Sequence, residues 1–238
     1  MNRSSLPSTI LEQINIGKIG QLADGTKTAI FKAPVHGSIR VSSVGLDGDM
    51  QANKKHHGGL DKAIHIYPAN HYAHWQSEYP DMARAFVPGS FGENLIVSGL
   101  LEEEICIGDQ ITCGSVTLEV SQARQPCWVL AKKFSIKEFA KSLDKSGKTG
   151  FYCRVLVEGA MEQNQKISVV TRPNPRWDLF RTRQILFGKD KNAIALDALR
   201  ELSTLPALSV PWKAHAARKL QGQAPTDENI RLYGAAAP

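Results

Sequence analysis

The chain has 238 residues and a formal net charge of +6, with 42% hydrophobic and 22% charged residues. This composition is typical of a globular protein and excludes an intrinsically disordered chain. No segment approaches the ~18 uninterrupted apolar residues of a membrane helix, and the N-terminal region lacks the apolar core of a secretory signal. We therefore expect a soluble cytoplasmic protein with no membrane partner.

From residue 9 to about residue 171 the sequence predicts short strands, because apolar and polar residues alternate in short runs that end at Gly, Asp or Pro. Helical patterns interrupt the strands at about 69–79 and 135–143. The predicted fold is mainly β, a barrel or sandwich with helical insertions. The predicted strands are ILEQINIG, TAIFKAP, SIRVSSVG, AIHIYP, ENLIVSG, DQITCG, SVTLEVSQA, FYCRVLVEG and KISVVTR.

A break at Arg172–Pro175 (RPNP) precedes a region with helical periodicity, since each proline restrains its own φ and that of the preceding residue. Helices are predicted at 178–187, 190–202 and from Ser209 to about Leu220, the last with a serine cap and a proline in its first turn. We predict a β domain at 1–171 and a small all-α three-helix domain with its tail at 172–238. Three short helices bury little core alone, so this unit should pack on the β domain or on a partner, and residues 224–238 look frayed.

The net charge is concentrated in this helical region. Residues 171–238 contain 11 Lys and Arg against 6 Asp and Glu, whereas the remainder of the chain is almost neutral. The basic residues are scattered and form no recognition-helix pattern, so nucleic-acid binding is not favoured. Solvation of a surface or docking explains this charge equally well.

The densest polar cluster is residues 45–61, GLDGDMQANKKHHGGLD. Its glycines allow the backbone to approach a ligand closely, and its lysines and histidines offer donors to an anion. Neither a P-loop nor an H-E-x-x-H zinc motif is present, and a surface turn is the alternative. The candidate residues of this cluster are Asp49, Lys54, Lys55, His56, His57, Gly58 and Gly59.

Two further segments carry candidates. In QARQPCW, Cys127 follows a predicted strand, and Arg124 three residues earlier would favour the thiolate, which is both a nucleophile and a soft-metal ligand. The other three cysteines lie in strand-like runs and fit buried thiols. In FGEN, Asn94 begins a strand and offers an amide to a ligand, with a turn-forming asparagine as the alternative.

In this order and spacing, the segments GLDGDMQANKKHHGGLDKAIHIYP, FGENLIVSGL and ICIGDQITCGSVTLEVSQARQPCW strongly resemble the MOSC family, the molybdenum-cofactor sulfurase C-terminal domain. The helices from residue 178 to 220 resemble the domain that follows MOSC in the YiiM branch. The resemblance implies a β-barrel-like MOSC fold, a bound molybdenum cofactor, and Cys127 as the molybdenum ligand. It also implies reduction of N-hydroxylated purines and related N-hydroxy compounds to amines, as in 6-hydroxylaminopurine detoxification. Trp128 departs from the residue that relatives often have there and leaves the pocket shape open.

We therefore expect a molybdenum-dependent oxidoreductase that needs an external electron-donating reductase, because the sequence has no flavin, haem or iron–sulfur signature. His56 or His57 would donate the proton. Asn94 would bind the cofactor or substrate, Asp49 would orient the histidines, and Arg124, Lys54 and Lys55, with Gly58 and Gly59, would hold the cofactor phosphate.

Two other functions are left open. A sulfur carrier or sulfurtransferase would use a Cys127 persulfide, and a non-enzymatic module would store cofactor or bind nucleic acid through its helical tail. The sequence also leaves open whether the chain forms a homodimer.

Overall fold

The strands dominate the first 171 residues of the chain in the computed structural model, which describes residues 6–188, 193–223 and 228–234. Of Lys55, His56, Ala193 and Ile194 it describes only the backbone. The strands are β1 (Ser8–Gly17), β2 (Gly20–Gln21), β3 (Lys27–Thr28), β4 (Lys32–Pro34), β5 (Ile39–Ser42), β6 (Gly45–Leu46), β7 (Ile64–Pro68), β8 (Leu95–Val97), β9 (Gln110–Cys113), β10 (Val116–Ala123), β11 (Phe151–Val157), β12 (Gly159–Met161) and β13 (Lys166–Thr171).

Seven of these strands close into a barrel, in the order β1, β13, β9, β10, β11, β7 and β8. Closure occurs at β1, which pairs with β13 through Ser8 and Ser168 and with β8 through Leu11 and Val97. Neighbouring strands of the barrel are antiparallel except β7 and β8, which are parallel and are joined by the crossover at residues 69–94. The predicted mainly β, barrel-like fold with C-terminal helices is confirmed.

Helices lie between the strands of the barrel and follow its last strand, β13. They are α1 (Lys54–His57), α2 (Asn70–Glu78), α3 (Trp128–Phe134), α4 (Phe139–Ser146), α5 (Leu179–Phe187), α6 (Ala193–Thr204), α7 (Val210–Leu220) and α8 (Glu228–Tyr233), with 3-10 turns at Leu60–Lys62 and Pro80–Ala85. The predicted serine cap is present: the side chain of Ser209 accepts a hydrogen bond from the Trp212 amide at 3.4 Å. The side chain of Asp178 caps α5 in the same way, accepting from the Arg181 amide at 2.7 Å. None of the helices in the described part of the chain is long and apolar enough to cross a membrane.

The C-terminal helices share one hydrophobic core with the barrel. Side chains of the barrel such as Leu118 and Val120 belong to the same buried cluster as Trp177, Leu199 and Trp212. The isolated bridge between Cys106 and Asp178 adds a backbone connection at the start of α5. The helices therefore pack on the β domain, as the sequence led us to expect, and the boundary at residue 171 stays a prediction.

Three local predictions differ from the structure. The KKHH segment forms the helical turn α1 instead of a loop. The helix predicted at 135–143 is present as α4, but α3, which begins directly after Cys127, has no counterpart among the predicted helices. Part of the tail that looks frayed in the sequence forms α8, which contacts α3 and α4. The predicted start of the helix at 190–192, its core position Ile194, and residues 224–227 and 235–238 of the tail lie outside the described residues or side chains.

Candidate functional site

Cys127 lies where β10 leaves the barrel, as the sequence predicts. The strand ends at Ala123, the Arg124 amide donates to the Gly150 carbonyl at 2.9 Å, and Cys127 takes an extended conformation immediately before α3. Its side chain is 9% exposed and lines a cavity of about 1260 Å³. The local fold therefore presents one thiol to a cavity large enough for an organic cofactor and a small substrate.

His57 is brought to this thiol from a segment 70 residues away in the chain. Its Nε2 atom lies 3.8 Å from the Cys127 Sγ atom, and both residues line the cavity. The turn that follows α1 uses glycine, because Gly59 has a φ of +96° and a Cβ on Gly58 would come within 2.9 Å of the Lys54 carbonyl oxygen. The arrangement places an imidazole nitrogen beside the sulfur atom.

The remaining candidates of this cluster fall into two groups. Lys54 and Gly59 are exposed, Gly58 is half-buried, and none of the three is among the cavity-lining residues. The side chains of Lys55 and His56 lie outside the part of the chain that the structure describes. His57 is therefore the candidate of the KKHHGG segment that reaches the cavity among the described side chains.

Asp49 also lines the cavity, where it anchors other side chains. Its carboxylate accepts hydrogen bonds from the Lys32 ammonium at 2.7 and 2.9 Å, from the Gly17 amide at 2.7 Å and from the Asn94 side chain at 3.0 Å. The Lys32 and Asp49 side chains are only 7% and 3% exposed. Burial lowers the pKa of Lys32, and the Asp49 charge opposes that shift. These contacts position Lys32 and Asn94, and an effect of Asp49 on the histidines stays a prediction.

Asn94 connects three parts of the barrel. Its Oδ1 atom accepts from the His65 amide at 3.1 Å, and its Nδ2 atom donates to Asp49 and, at 3.2 Å, to the Asn15 carbonyl. The side chain is 3% exposed yet lines the cavity. Because both amide hydrogens are engaged within the protein, Asn94 can accept further hydrogen bonds from a ligand but has no spare hydrogen to donate.

Two buried polar groups in the cavity wall have no partner in the described part of the chain. One is Nη1 of Arg124, which is 6% exposed, and the other is Oε1 of Gln122, which is 1% exposed. Both residues line the cavity with Cys127. An orphaned buried donor or acceptor costs ~1–3 kcal/mol, so these atoms favour a ligand that supplies the missing partners. The site therefore fits a ligand that offers an anionic or acceptor atom to Arg124 and a hydrogen-bond donor to Gln122.

Sequence reasoning missed several lining residues. Lys62 follows α1 in a 3-10 turn, and burial lowers its pKa, opposed by the charges of Asp61 and Cys127. Tyr152 lies beneath it, with the Lys62 ammonium 5.9 Å from the ring centroid. The proximity of Lys62 to HHGGLD is visible in the sequence, but no signal links it to Cys127, which is 65 positions later.

The C-terminal helices supply another part of the wall, which the sequence did not indicate. Trp212 donates from Nε1 to the Gln125 side chain at 3.3 Å, and Arg231 donates from Nη1 to the Pro126 carbonyl at 2.7 Å. Both contacts hold the segment immediately before Cys127. Arg218 and Lys219 also line the cavity, so part of the charge of the tail faces the site.

The side chains that could ligate a metal in this cavity favour a metal ion that is already bound by a cofactor. No group of three or more His, Cys, Asp or Glu within the described residues is placed to hold a metal ion. Cys127 instead offers a single soft sulfur ligand, beside the hydrogen-bonding groups of Gln122 and Arg124. An organic cofactor that carries its own metal ligands fits this arrangement.

Comparison with known proteins identifies the wider resemblance. A sequence model of the MOSC domain matches residues 53–168. The uncharacterized protein YflK of Bacillus subtilis is 38% identical over 209 residues, covering 87% of this chain and 92% of that protein. A protein named reductase from Gibberella moniliformis is 32% identical over 83% of this chain, which spans only 35% of the fungal protein.

The third relative is YiiM of Escherichia coli, which is 38% identical over 156 residues, 66% of this chain and 70% of YiiM. Its crystal structure superimposes with a TM-score of 0.78 and 27% identity, over 97% of this chain and 99% of that one. The likeness therefore includes both the barrel and the C-terminal helices.

Proposed function

The chain belongs to the MOSC domain family, and from this premise we propose that it is a molybdenum-cofactor-dependent reductase of N-hydroxylated purines and related N-hydroxy compounds. The family is associated with molybdenum cofactor binding in general, and a relative of this chain is named a reductase. The observation that carries the proposal is the Cys127 thiol, 3.8 Å from His57 in a cavity with the orphaned donor of Arg124.

The residues present suit the cofactor. The Cys127 thiolate would ligate molybdenum, Arg124 would bind an anionic or acceptor group of the cofactor, and Gln122 would accept a hydrogen bond from it. Lys62 adds positive charge on the same wall. When bound, the cofactor supplies the two electrons that reduce the N–O bond.

The side chains of the protein provide the protons and the enclosure. The reaction converts R–NHOH, two electrons and two protons into R–NH2 and water, so a proton must reach the departing hydroxyl group. His57 would supply such a proton from Nε2, because this nitrogen lies 3.8 Å from the Cys127 sulfur in the same cavity. Residues of α7 and of the segment before Cys127 line the same cavity as this nitrogen.

We also propose the cellular context. An external reductase would deliver the electrons, the substrate would be a small N-hydroxylated compound, and the protein would act in the cytoplasm. Nucleic acid is not a proposed partner, because basic side chains of the helical tail line the cavity instead of forming a separate stripe.

The activity of purified protein on 6-hydroxylaminopurine, with reduced methyl viologen as electron donor, tests the proposal. Wild type and Cys106→Ser should form adenine, whereas Cys127→Ser should be inactive. Cys106 is a suitable control because it is buried away from the cavity, with its sulfur 3.9 Å from the Pro175 carbonyl oxygen. Full activity of Cys127→Ser would refute the role of the thiol. A metal-free wild-type protein with a persulfide on Cys127, detected by mass spectrometry, would favour sulfur transfer instead.

A further inference from the structure

The last turn of α5 is fixed by α7. His215 donates from Nε2 to the Leu186 carbonyl at 3.0 Å, and the Lys219 ammonium donates to the carbonyls of Ile185 and Gly188 at 2.8 and 2.6 Å. Carbonyl groups at a helix C-terminus lack partners within the helix, so donors from a neighbouring helix hold the turn firmly. This clamp determines where the final residue of α5, Phe187, lies.

Phe187 belongs to a group of three rings at the cavity. Its ring lies 4.6 Å from that of His215 with an interplanar angle of 36°, and 5.2 Å from that of Trp212 with an edge-on angle of 73°. All three residues line the cavity. Trp212 is only 1% exposed and packs against Phe187. Phe187 and His215 are half-buried, so part of their surface is accessible.

His215 presents a neutral ring in this group. Burial lowers its pKa, and the positive charges of Arg218 and Lys219 act in the same direction, whereas the Leu186 carbonyl and Glu228 oppose the shift. A neutral imidazole stacks on an aromatic ring without burying a charge. The pair therefore offers an aromatic surface in the cavity wall.

This surface faces the same cavity as the thiol and is joined to the thiol segment. Trp212 contacts Phe187 by its ring and hydrogen-bonds Gln125, which stands two residues before Cys127. The rings and the segment that carries Cys127 are thus held in one contact network. The position of the aromatic surface relative to the site is fixed by packing instead of by a mobile loop.

We propose that Phe187 and His215 form a stacking subsite for the planar heteroaromatic ring of the substrate, so that α5 and α7 select aromatic over small aliphatic N-hydroxy compounds. The inference rests on the proposed function and assigns the C-terminal helices a part in substrate choice. Stacking on an aromatic side chain recognises a base by its π face and tolerates different edge substituents.

Steady-state kinetics of Phe187→Leu, which keeps an apolar side chain without a π face, test the subsite. Loss of stacking should raise the KM for 6-hydroxylaminopurine about tenfold and leave the KM for N-methylhydroxylamine and the molybdenum content unchanged. Phe180→Leu is the matched control, because Phe180 is half-buried on the same helix but does not line the cavity. Equal changes for both substrates, no change for either, or a loss of molybdenum would overturn the inference.

A second variant and a binding measurement separate this inference from the proposed function. Phe187→Trp keeps a π face and should retain the wild-type preference, even if Phe187→Leu folds poorly. If wild type reduces neither substrate, the proposed function fails. Isothermal titration of 6-hydroxylaminopurine then still tests the subsite, which requires binding by wild type that is weakened about tenfold in Phe187→Leu. Equal binding by both proteins, or by neither, contradicts it.

Discussion

Replacing Arg124 with methionine should stabilise the cofactor-free protein while weakening cofactor binding. The guanidinium is 6% exposed, and its Nη1 atom is buried without a hydrogen-bond partner in the described part of the chain. Removing such a donor recovers ~1–3 kcal/mol, whereas loss of the interaction of Arg124 with Tyr152 costs ~1 kcal/mol. The net gain is about 1 kcal/mol, which corresponds to a rise in Tm of about 2–4 °C for a chain of this size.

The assay is calorimetric unfolding of protein produced in a host that makes no molybdenum cofactor. Burial lowers the pKa of Lys32 and Lys133, and the positive charge of Arg124 adds to this shift, so removal of Arg124 also relieves repulsion. In a cofactor-producing host, Arg124→Met should contain less molybdenum than wild type. A Tm of the cofactor-free variant below that of cofactor-free wild type would refute the reasoning. It would show that Arg124 stabilises the fold in the absence of a ligand.

Arg154→Met is the matched control for that experiment. Its guanidinium is also largely buried, but it is fully engaged, at 2.6 Å from Asp61 and 2.5 Å from Glu119. Removing one partner of such a group leaves two carboxylates without their cation and should destabilise the protein by about 3 kcal/mol. Changes of opposite sign in the free energy of unfolding of the two variants distinguish an arginine that binds a ligand from one that stabilises the fold.

Three further predictions concern the surroundings of the site. Asp49→Asn should lower the free energy of unfolding in urea by about 3 kcal/mol, because it leaves the buried Lys32 ammonium without a carboxylate; an unchanged midpoint would contradict this. Burial lowers the pKa of Lys133 to about 8, so the stability of wild type relative to Lys133→Met should rise with pH between about 8 and 10.5, where the unfolded chain binds more protons; a flat difference would exclude it. Arg231→Ala removes the hydrogen bond to the Pro126 carbonyl and should accelerate hydrogen exchange in that segment, and equal rates would show that α8 does not hold it.

The barrel strands and the thiol segment could be predicted from the sequence because their signals are local. Alternation places Val116, Leu118 and Val120 on the buried face of β10, and the strand ends at Ala123, within QARQPC. The two capped helices α5 and α7 begin where Asp178 and Ser209 predict them. Each of these features depends on residues within one turn or one strand of each other.

The missed features depend on contacts between distant residues. The helix α8 has only six residues, and its position depends on Arg231, which bonds the Pro126 carbonyl across 105 positions. The turn α1 consists of four polar residues and has no apolar periodicity to reveal it. The sequence therefore indicated the residues of the barrel side of the site and gave no sign of the wall that α5, α7 and α8 complete.

The charge distribution shows the same limit. The sequence predicts that the positive residues of the tail lie apart from the site. It predicts that Lys54, Lys55 and Arg124 are the cations of the site. In the structure Arg124 lines the cavity together with tail residues such as Arg218 and Lys219, whereas Lys54 is exposed and does not line it. Net charge along the chain does not reveal which side chains converge in space.

Molybdenum content per chain is the most direct test of the central claim that Cys127 holds a molybdenum cofactor. Wild type, Cys127→Ser and the control Cys106→Ser would be purified in parallel from a cofactor-producing host and measured by inductively coupled plasma mass spectrometry. Cys127→Ser replaces a soft sulfur ligand with a hydroxyl group, which binds molybdenum less well. The account predicts molybdenum in wild type and Cys106→Ser and its loss in Cys127→Ser, and equal molybdenum in all three proteins would contradict it.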